Sequence, residues 1–414
     1  MLLCYDSRVI PSSSSSTLSW KRNLIALWIA QVGTTLGFSF TFPFYPIFFE
    51  EIGGFSTESA AFWAGMAGWV FGIGMGLFSP IWGVLGDKYG RKLNIIRAMF
   101  LGGFFLTISG FAETPMQLLV SRFFVGATSG VVPTIMALVA AHTPREKLPF
   151  ASGAVQSALF LGIALGPLFG GLIYDAYGMT QAFVATGAAL WLSGILVIIV
   201  VKEDFQRPNV PGGTLQSFVD MWHLSTSRAM LPLYLVILLV LASNLVIQPA
   251  IPGLVESVEG GSDSGTASGI VFTVMGMGAA ISSLLMGFLA GKFGIQRMLI
   301  IAAVAASLTS LIPYFAQDYW ALAFGLLSTS LFAGGLGGMV NGLIAMRSPA
   351  GRHGAAFGAA QFSHAVGVAI GPLVGGFAVI TLGLRSVFLI DIAGFSLILL
   401  VVLMFLRTAK QSSA

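Results

Sequence analysis

Ionisable side chains inside long apolar segments are the residues of this sequence best placed to do chemistry. Arg122, His364 and Asp391 each lie in such a segment. An arginine or aspartate at the centre of a bilayer costs about 2.5–3.5 kcal/mol on insertion scales, so a role in binding or proton handling is expected. Histidine titrates near pH 6.5 and can carry a proton. Two structural alternatives stay open, since Arg122 can extend toward the outer boundary and His364 can form a structural hydrogen bond.

The elements that position these side chains are membrane helices. The chain has 414 residues, of which 56% are hydrophobic and 9% charged, whereas a soluble domain carries about 25% charged residues. This composition excludes a soluble enzyme, a nucleic-acid binder and a disordered chain, and the apolar runs are too long for a membrane β-barrel. We therefore predict an all-α integral membrane protein. Its twelve predicted helices are residues 23–49, 60–85, 93–112, 115–141, 149–175, 180–201, 230–255, 265–290, 297–315, 319–345, 354–380 and 384–407.

One long polar stretch, 202–229, divides these helices six and six. The predicted organisation is a cytoplasmic N-terminal tail (1–22), a six-helix bundle (23–201), a cytoplasmic linker (202–229), a second six-helix bundle (230–407) and a cytoplasmic tail (408–414). Of the 20 lysines and arginines, 18 fall in the tails, the linker and the turns on the same side of the membrane. The positive-inside rule then places both termini in the cytoplasm.

The two bundles are an internal repeat with an offset of about 205 residues. The glycine and proline pattern of helix 5 recurs in helix 11 at a constant offset, and Gln156 falls on Gln361. The ends of helices 1 and 7 share the pattern Pro-x-x-Pro-x-x-x-Glu. Each half has an even number of helices, so the halves run parallel and are related by an axis along the membrane normal. Repeats of this kind place a binding site at their interface and alternate its access.

The turn between helices 2 and 3 carries one acid and several bases at a fixed spacing. Its sequence from Gly83 to Lys92 resembles the cytoplasmic signature of the major facilitator superfamily. Contacts that form in one tilt of the halves and break in the other would make it a conformational latch, and the alternative is a solvated orientation signal. The predicted latch residues are Gly83, Asp87, Gly90, Arg91 and Lys92.

Helix 5 carries a second pattern, in which three of its glycines recur every four residues. These glycines form a ridge of small residues that lets another helix approach closely, and the proline permits a bend. The full pattern resembles the motif of antiporters in the same superfamily, which implies export by exchange, whereas generic helix packing is the alternative. The residues are Gly153, Gly162, Gly166, Pro167, Gly170 and Gly171.

Further residues are candidates for the cavity and for coupling. Arg122 followed by Gly126 resembles the Arg-x-x-x-Gly element of the superfamily, so Arg122 is expected to line the cavity, where it contacts substrate or tunes a nearby acid. Asp391 lies in helix 12, which is peripheral in this superfamily, and helix 1 lacks a membrane-embedded acid. The identity of the proton carrier therefore stays open. The cavity and coupling candidates are Arg122, Gln31, Phe38, Phe42, Gln156, Asn244, Gln248, Asn341, Gln361, His364 and Asp391.

The resemblance implies a twelve-helix secondary transporter with two pseudo-symmetric bundles, similar to bacterial drug/proton antiporters of the multidrug-resistance type. Its expected partners are a small amphipathic substrate, protons and the lipid bilayer of a bacterial inner membrane, with no nucleic acid, and we expect a monomer. We expect no catalytic residues, metal or cofactor. One alternative is a metabolite exporter or uptake symporter of the same fold, and another is a non-transporting polytopic membrane protein.

Overall fold

A computed structural model describes residues 13–144, 147–203, 226–227, 229–259, 264–348 and 353–405. The described chain forms twelve helices, five of them in two segments, which confirms the all-α prediction. The N-terminal half contains helix 1 (Ser13–Thr41 and Tyr45–Gly53), helix 2 (Thr57–Tyr89), helix 3 (Arg91–Ser109), helix 4 (Pro115–Thr128 and Val131–His142), helix 5 (Leu148–Tyr177) and helix 6 (Met179–Val200). The C-terminal half contains helix 7 (Leu231–Val246 and Ile251–Glu259), helix 8 (Ser264–Phe293), helix 9 (Ile295–Thr309, continued by Leu311–Phe315), helix 10 (Tyr319–Ala333 and Leu336–Arg347), helix 11 (His353–Leu382) and helix 12 (Ser386–Phe405).

The interruptions fall at corresponding places in the two halves. Helices 1 and 7 each pass through a short 3-10 turn, Phe42–Phe44 and Gln248–Ala250, that contains a proline. Proline lacks the N–H that would continue the α-helical hydrogen bonds. Helices 4 and 10 break at residues 129–130 and 334–335, again 205 residues apart. The expectation of continuous helices over 115–141 and 319–345 is therefore wrong. Each break contains glycine, which adopts non-helical backbone conformations readily.

Within the described ranges, eleven helices are long and apolar enough to cross a membrane. Helix 4 is outside that set because its break leaves segments of 14 and 12 residues. Helix 1 begins at Ser13, ten residues before its predicted start, since the sequence between Ser13 and Lys21 contains no proline or glycine. Most of the predicted linker, 204–225 and 228, lies outside the described residues, as do residues 1–12 of the predicted N-terminal tail and the whole predicted C-terminal tail, 408–414.

Each half has its own apolar interior. In the N-terminal half helix 1 packs on helices 5 and 6, and in the C-terminal half helix 7 packs on helices 11 and 12. Large apolar side chains such as Leu77, Leu284 and Trp320 cover the outside, as a lipid-facing surface requires. We call the end of the molecule that carries Lys21 and Lys92 the inner end, and the opposite end the outer end.

Candidate functional site

The two halves meet closely at the outer end, where helix 5 packs on helix 8 and helix 2 packs on helix 11. A Cβ atom added at Gly171 would lie 2.5 Å from the carbonyl oxygen of Gly265. One added at Gly376 would lie 2.7 Å from the carbonyl oxygen of Ala61. Only residues without a side chain allow backbones to approach so closely. The interface between the halves is therefore closed toward the outer end.

A hydrogen-bonded contact across the halves adds to this closure. The carboxylate of Asp175 on helix 5 accepts a hydrogen bond of 2.7 Å from the backbone N–H of Thr266 on helix 8, and a second from its hydroxyl. Between the ends of helices 1 and 7 lies a cavity of about 240 Å³, which we call the outer mouth. Its lining includes Glu50, Glu51, Tyr174 and Glu256.

The halves separate toward the inner end. A Cβ atom added at Gly153 of helix 5 or at Gly287 of helix 8 would meet no atom within 4 Å. A cavity of about 410 Å³ lies here between helices 2, 3 and 4 on one side and helix 11 on the other, and we call it the inner cavity. Its lining includes Trp82, Gly83, Arg91, Asn94, Gly130, Thr134, Phe357, Gln361 and Phe362.

The turn between helices 2 and 3 lies at the edge of the inner cavity. Gly90 ends helix 2 with φ of +105°, a conformation that glycine adopts readily. The Arg91 guanidinium donates a hydrogen bond of 2.8 Å to the carbonyl oxygen of Ala137 on helix 4. The carboxylate of Glu203, just beyond helix 6, accepts from the backbone N–H groups of Arg91 and Lys92 at 2.9 and 2.8 Å. Glu203 thus caps the N-terminus of helix 3.

Hydrogen bonds from Arg91 to helix 4 and from Lys92 to helix 6 join this turn to helices of the N-terminal half. The Lys92 ammonium donates to the carbonyl oxygen of Ile198 at 2.9 Å, and Gly83 lies in open space. Asp87 belongs to helix 2, but its side chain lies outside the described part of the structure. A latch between the halves at this turn stays a prediction.

The break in helix 4 is held by two side chains that the sequence did not single out. Gly130 at the break has φ of +122°. The indole N–H of Trp82 donates to the carbonyl oxygen of Ala127 at 2.6 Å. The Arg97 guanidinium donates to the carbonyl oxygen of Thr128 at 3.2 Å, and its Cζ lies 3.5 Å from the centre of a Trp82 ring. Together they satisfy carbonyl groups that the broken helix leaves without a partner.

Arg97 belongs to helix 3, although the sequence groups it with the bases of the inner turns. Its Nε donates to the amide oxygen of Asn94 at 3.1 Å, and the Asn94 amide donates to the hydroxyl of Thr134 at 3.2 Å. The sequence could have indicated this role, because Arg97 lies inside the predicted helix 93–112. An arginine within a membrane helix needs hydrogen-bond acceptors nearby.

Arg122 lies in the outer segment of helix 4 and is only 3% exposed. Its guanidinium Cζ lies 4.6 Å from the ring centres of both Tyr45 and Phe71 and 5.8 Å from that of Phe42. Aromatic faces attract a cation in this way. Its Nε is buried and makes no hydrogen bond within the described structure. Arg122 is thus a cation enclosed by rings between the two halves.

Three further candidates lie beside Arg122 or in the inner cavity. Phe42 and Gln248 line a small cavity of about 20 Å³ together with Arg122. The Gln248 amide oxygen is buried and has no hydrogen-bond partner in the described structure. Gln361 lines the inner cavity. Residues from both halves therefore meet at one axis, as the repeat predicts.

Other candidates point into their own half. Gln31 is completely buried and donates to the hydroxyl of Thr35 at 2.7 Å. Phe38 packs near Gly102 inside the N-terminal half. Asn244 donates to the carbonyl oxygen of Val240, one turn earlier in helix 7, at 2.6 Å. None of these three lines the cavities described above.

Four candidates remain, and the structure places them apart. Gln156 is partly exposed on helix 5, and Asn341 is exposed on helix 10. His364 is partly exposed on helix 11, the helix that packs against helix 2 across the interface, and its buried Nδ1 has no hydrogen-bond partner in the described structure. Asp391 is 2% exposed and lies between helices 12 and 9, where it accepts a hydrogen bond of 2.8 Å from Ser310.

The glycine ridge of helix 5 packs against helix 1. Cβ atoms at Gly166 and Gly170 would overlap Ser39 and the carbonyl oxygen of Phe40, and one at Gly162 would lie 2.8 Å from the backbone nitrogen of Leu36. The matching ridge of helix 11, at Gly367, Gly371 and Gly375, packs against helix 7 in the same way. Pro167 also lies inside helix 5. The ridge glycines therefore pack helices within each half, whereas Gly171 of the same motif contacts the other half.

A bundle of this kind defines a class of protein. Two parallel six-helix halves close at one end and enclose a cavity toward the other, which is the architecture of secondary transporters that work by alternating access.

Comparisons with known proteins identify the family. The family model described as Major Facilitator Superfamily matches residues 27–262 and 233–414. The multidrug resistance protein MdtG of Escherichia fergusonii is 32% identical over 384 residues, 92% of this chain and 93% of that protein. The multi-drug resistance efflux pump PmrA homolog of Lactococcus lactis is 29% identical over 364 residues, 87% of this chain and 89% of that protein. The chain belongs to the major facilitator superfamily.

Solved structures agree on the fold. The nucleoside transporter NupG superposes with a TM-score of 0.75 at 13% identity, over 92% of this chain and 100% of that chain. A bacterial homolog of the human lysosomal transporter Spinster gives a TM-score of 0.76 at 15% identity, over 96% and 98%. Membership of the major facilitator superfamily makes the protein a multi-pass secondary transporter, since this is a family of transporters rather than enzymes.

Proposed function

We propose that this chain exports small amphipathic, drug-like compounds in exchange for protons. The relatives named as multidrug resistance and multidrug efflux proteins support the compound class and the outward direction. The single observation that carries the proposal is the closed outer end above an inner cavity whose wall combines Trp82, Phe357 and Phe362 with the amides of Asn94 and Gln361. Such a wall suits an apolar body with a few hydrogen-bonding groups.

The inner end faces the cytoplasm in this proposal. The concentration of lysine and arginine in the tails, the linker and the turns of one side supports this orientation. Both termini are then cytoplasmic, the inner cavity opens to the cytoplasm, and the protein works as a monomer in a bacterial inner membrane. Inward proton flow supplies the energy, since each charge that crosses 100 mV is worth about 2.3 kcal/mol.

His364 is our candidate for the proton carrier. It lies on the helix that joins the halves, its Nδ1 has no hydrogen-bond partner in the described structure, and histidine ordinarily titrates near pH 6.5. Asp391 is bonded to Ser310 between peripheral helices, and Arg122 has no carboxylate among the residues that line its cavity.

Purified protein in liposomes tests the proposal. An exchanger drives a fluorescent amphipathic dye into vesicles with an acidic lumen, and a protonophore stops this uptake. His364→Ala should lose the response to the pH gradient but keep downhill dye movement. A symporter would instead need an acidic exterior, and equal dye uptake with and without the gradient would refute proton exchange.

A further inference from the structure

Charges along the axis between the halves are sorted by sign. Among the described side chains, Arg91 is the one charged residue that lines the inner cavity. Arg122 is the one charged residue that lines the small cavity above it. Carboxylates line the outer mouth, where Glu50, Glu51 and Glu256 meet. A compound that moves from the inner to the outer end passes two arginines first and three carboxylates last.

Among the described residues, no carboxylate contacts the buried Arg122 cation, and three aromatic rings surround the guanidinium. Aromatic faces compensate a buried charge only weakly, whereas an oxoanion forms paired, charge-assisted hydrogen bonds with arginine. The unpartnered Nε is the group that such an anion would use.

Gln248 from the other half completes the surroundings of Arg122. The cavity between them has a volume of about 20 Å³, which holds little more than one water molecule. Phe42 of the N-terminal half and Pro372 of the C-terminal half both line it, so a larger ligand fits only if the two halves move apart. The arginine site therefore belongs to the part of the transport cycle in which the outer end is open.

Two buried or bonded acids that the structure describes lie away from Arg122. Asp391 is bonded to Ser310 between helices 9 and 12. Asp175 is bonded to Thr266 at the outer end. The alternative role for Arg122, tuning the protonation of a nearby acid, thus lacks an acid among the described side chains that line its cavity.

We propose that the exported compound carries an oxoanion head, such as a carboxylate, phosphonate or sulfonate, on an apolar body. This inference rests on the proposed export function and names its substrate class. The anion enters the inner cavity past Arg91 while its apolar body packs against Trp82 and Phe362. As the halves tilt, Arg122 and Gln248 receive the head. The carboxylates of the outer mouth then repel the anion outward and oppose its return.

Two probes that differ only in head group test this class. Pyrenebutyl sulfonate and pyrenebutyl trimethylammonium share one apolar body and carry permanent opposite charges. Their protein-dependent movement into liposomes with an acidic lumen is measured against protein-free vesicles. We expect the sulfonate to move at least about tenfold faster than the ammonium compound, because like charges along the route cost several kcal/mol.

Variants of Arg122 test the site itself. Arg122→Gln should lose at least about tenfold in sulfonate transport, whereas Arg122→Lys, which keeps the charge but loses the paired hydrogen bonds, should fall between Arg122→Gln and the wild type. Preferential transport of the ammonium probe by wild-type protein would overturn the anion class and leave the exporter standing. Movement of neither probe would overturn both proposals. The ratio of the two transport rates is measured in the wild-type protein. The inference can therefore be refuted even if Arg122→Gln fails to fold.

Discussion

The Arg97 guanidinium lies 3.5 Å from the centre of a Trp82 ring, and both side chains cap the outer segment of helix 4 at its break. That segment carries Arg122, and the inner segment accepts a hydrogen bond from Arg91. A cation at a helix C-terminus and a cation over an indole ring are each worth about 1 kcal/mol. Arg97 is therefore a positioning residue for the break in helix 4 and for the outer segment that carries Arg122.

We expect Arg97→Met to lower the maximal transport rate by about tenfold with less than about a twofold change in KM, since about 1.4 kcal/mol corresponds to a factor of ten. Arg97→Lys should give an intermediate rate, because lysine keeps the charge and loses the planar stack. Transport kinetics in liposomes measure this. The matched control is Arg297→Met at an exposed position of helix 9, and unchanged kinetics for Arg97→Met would refute the role.

The glycine ridge predicts a selective loss of stability. In Gly170→Ala the new methyl group overlaps the carbonyl oxygen of Phe40, and overpacking of this kind costs about 1–3 kcal/mol. Gly375→Ala should behave alike because it meets Val246. Thermal unfolding of the detergent-solubilised protein measures the loss. Gly153→Ala, which meets no atom within 4 Å, should leave the midpoint unchanged, and an equal loss there would contradict the assignment.

The close approach of helices 5 and 8 predicts a conformational shift. Gly171→Leu forces the backbone of Gly265 away and should hold the outer end open. In a protein with Cys4→Ser and Gln248→Cys, an impermeant maleimide applied from the outer side should label the new cysteine at least about fivefold faster. Gly287→Leu, at the open inner end, is the control and should leave labelling slow. Slow labelling of the Gly171→Leu protein would show that this contact does not close the outer end.

The position of Asp391 predicts that it is dispensable for proton coupling. Its carboxylate is buried against Ser310 and away from the cavities. Asp391→Asn keeps an acceptor for the Ser310 hydroxyl, so transport and its response to the pH gradient should stay within about twofold. Ser310→Ala should instead lower stability by about 1–3 kcal/mol, because it leaves a buried acceptor unpaired. Loss of the gradient response in Asp391→Asn would make Asp391 the proton carrier.

The sequence alone determined the class and the symmetry of the protein. Long apolar runs admit only helices in a bilayer. The offset of 205 residues between the patterns of helices 5 and 11 showed that the chain contains two equivalent halves. The ridge glycines were recognisable because their spacing is a local property of one helix. Helix ends and the breaks at 129–130 and 334–335 were less accessible, because a glycine inside an apolar run is compatible with both a continuous and a broken helix.

Only the tertiary structure decided which candidates meet. Phe42 and Gln248 join Arg122, whereas Gln31 and Phe38, also on helix 1, pack inside their own half. The tertiary structure also turned Arg97 from a topology signal into a support of helix 4. These relationships depend on how segments far apart in the chain rotate and tilt against one another, and that geometry is set by the packing of whole helices rather than by the spacing within any one of them.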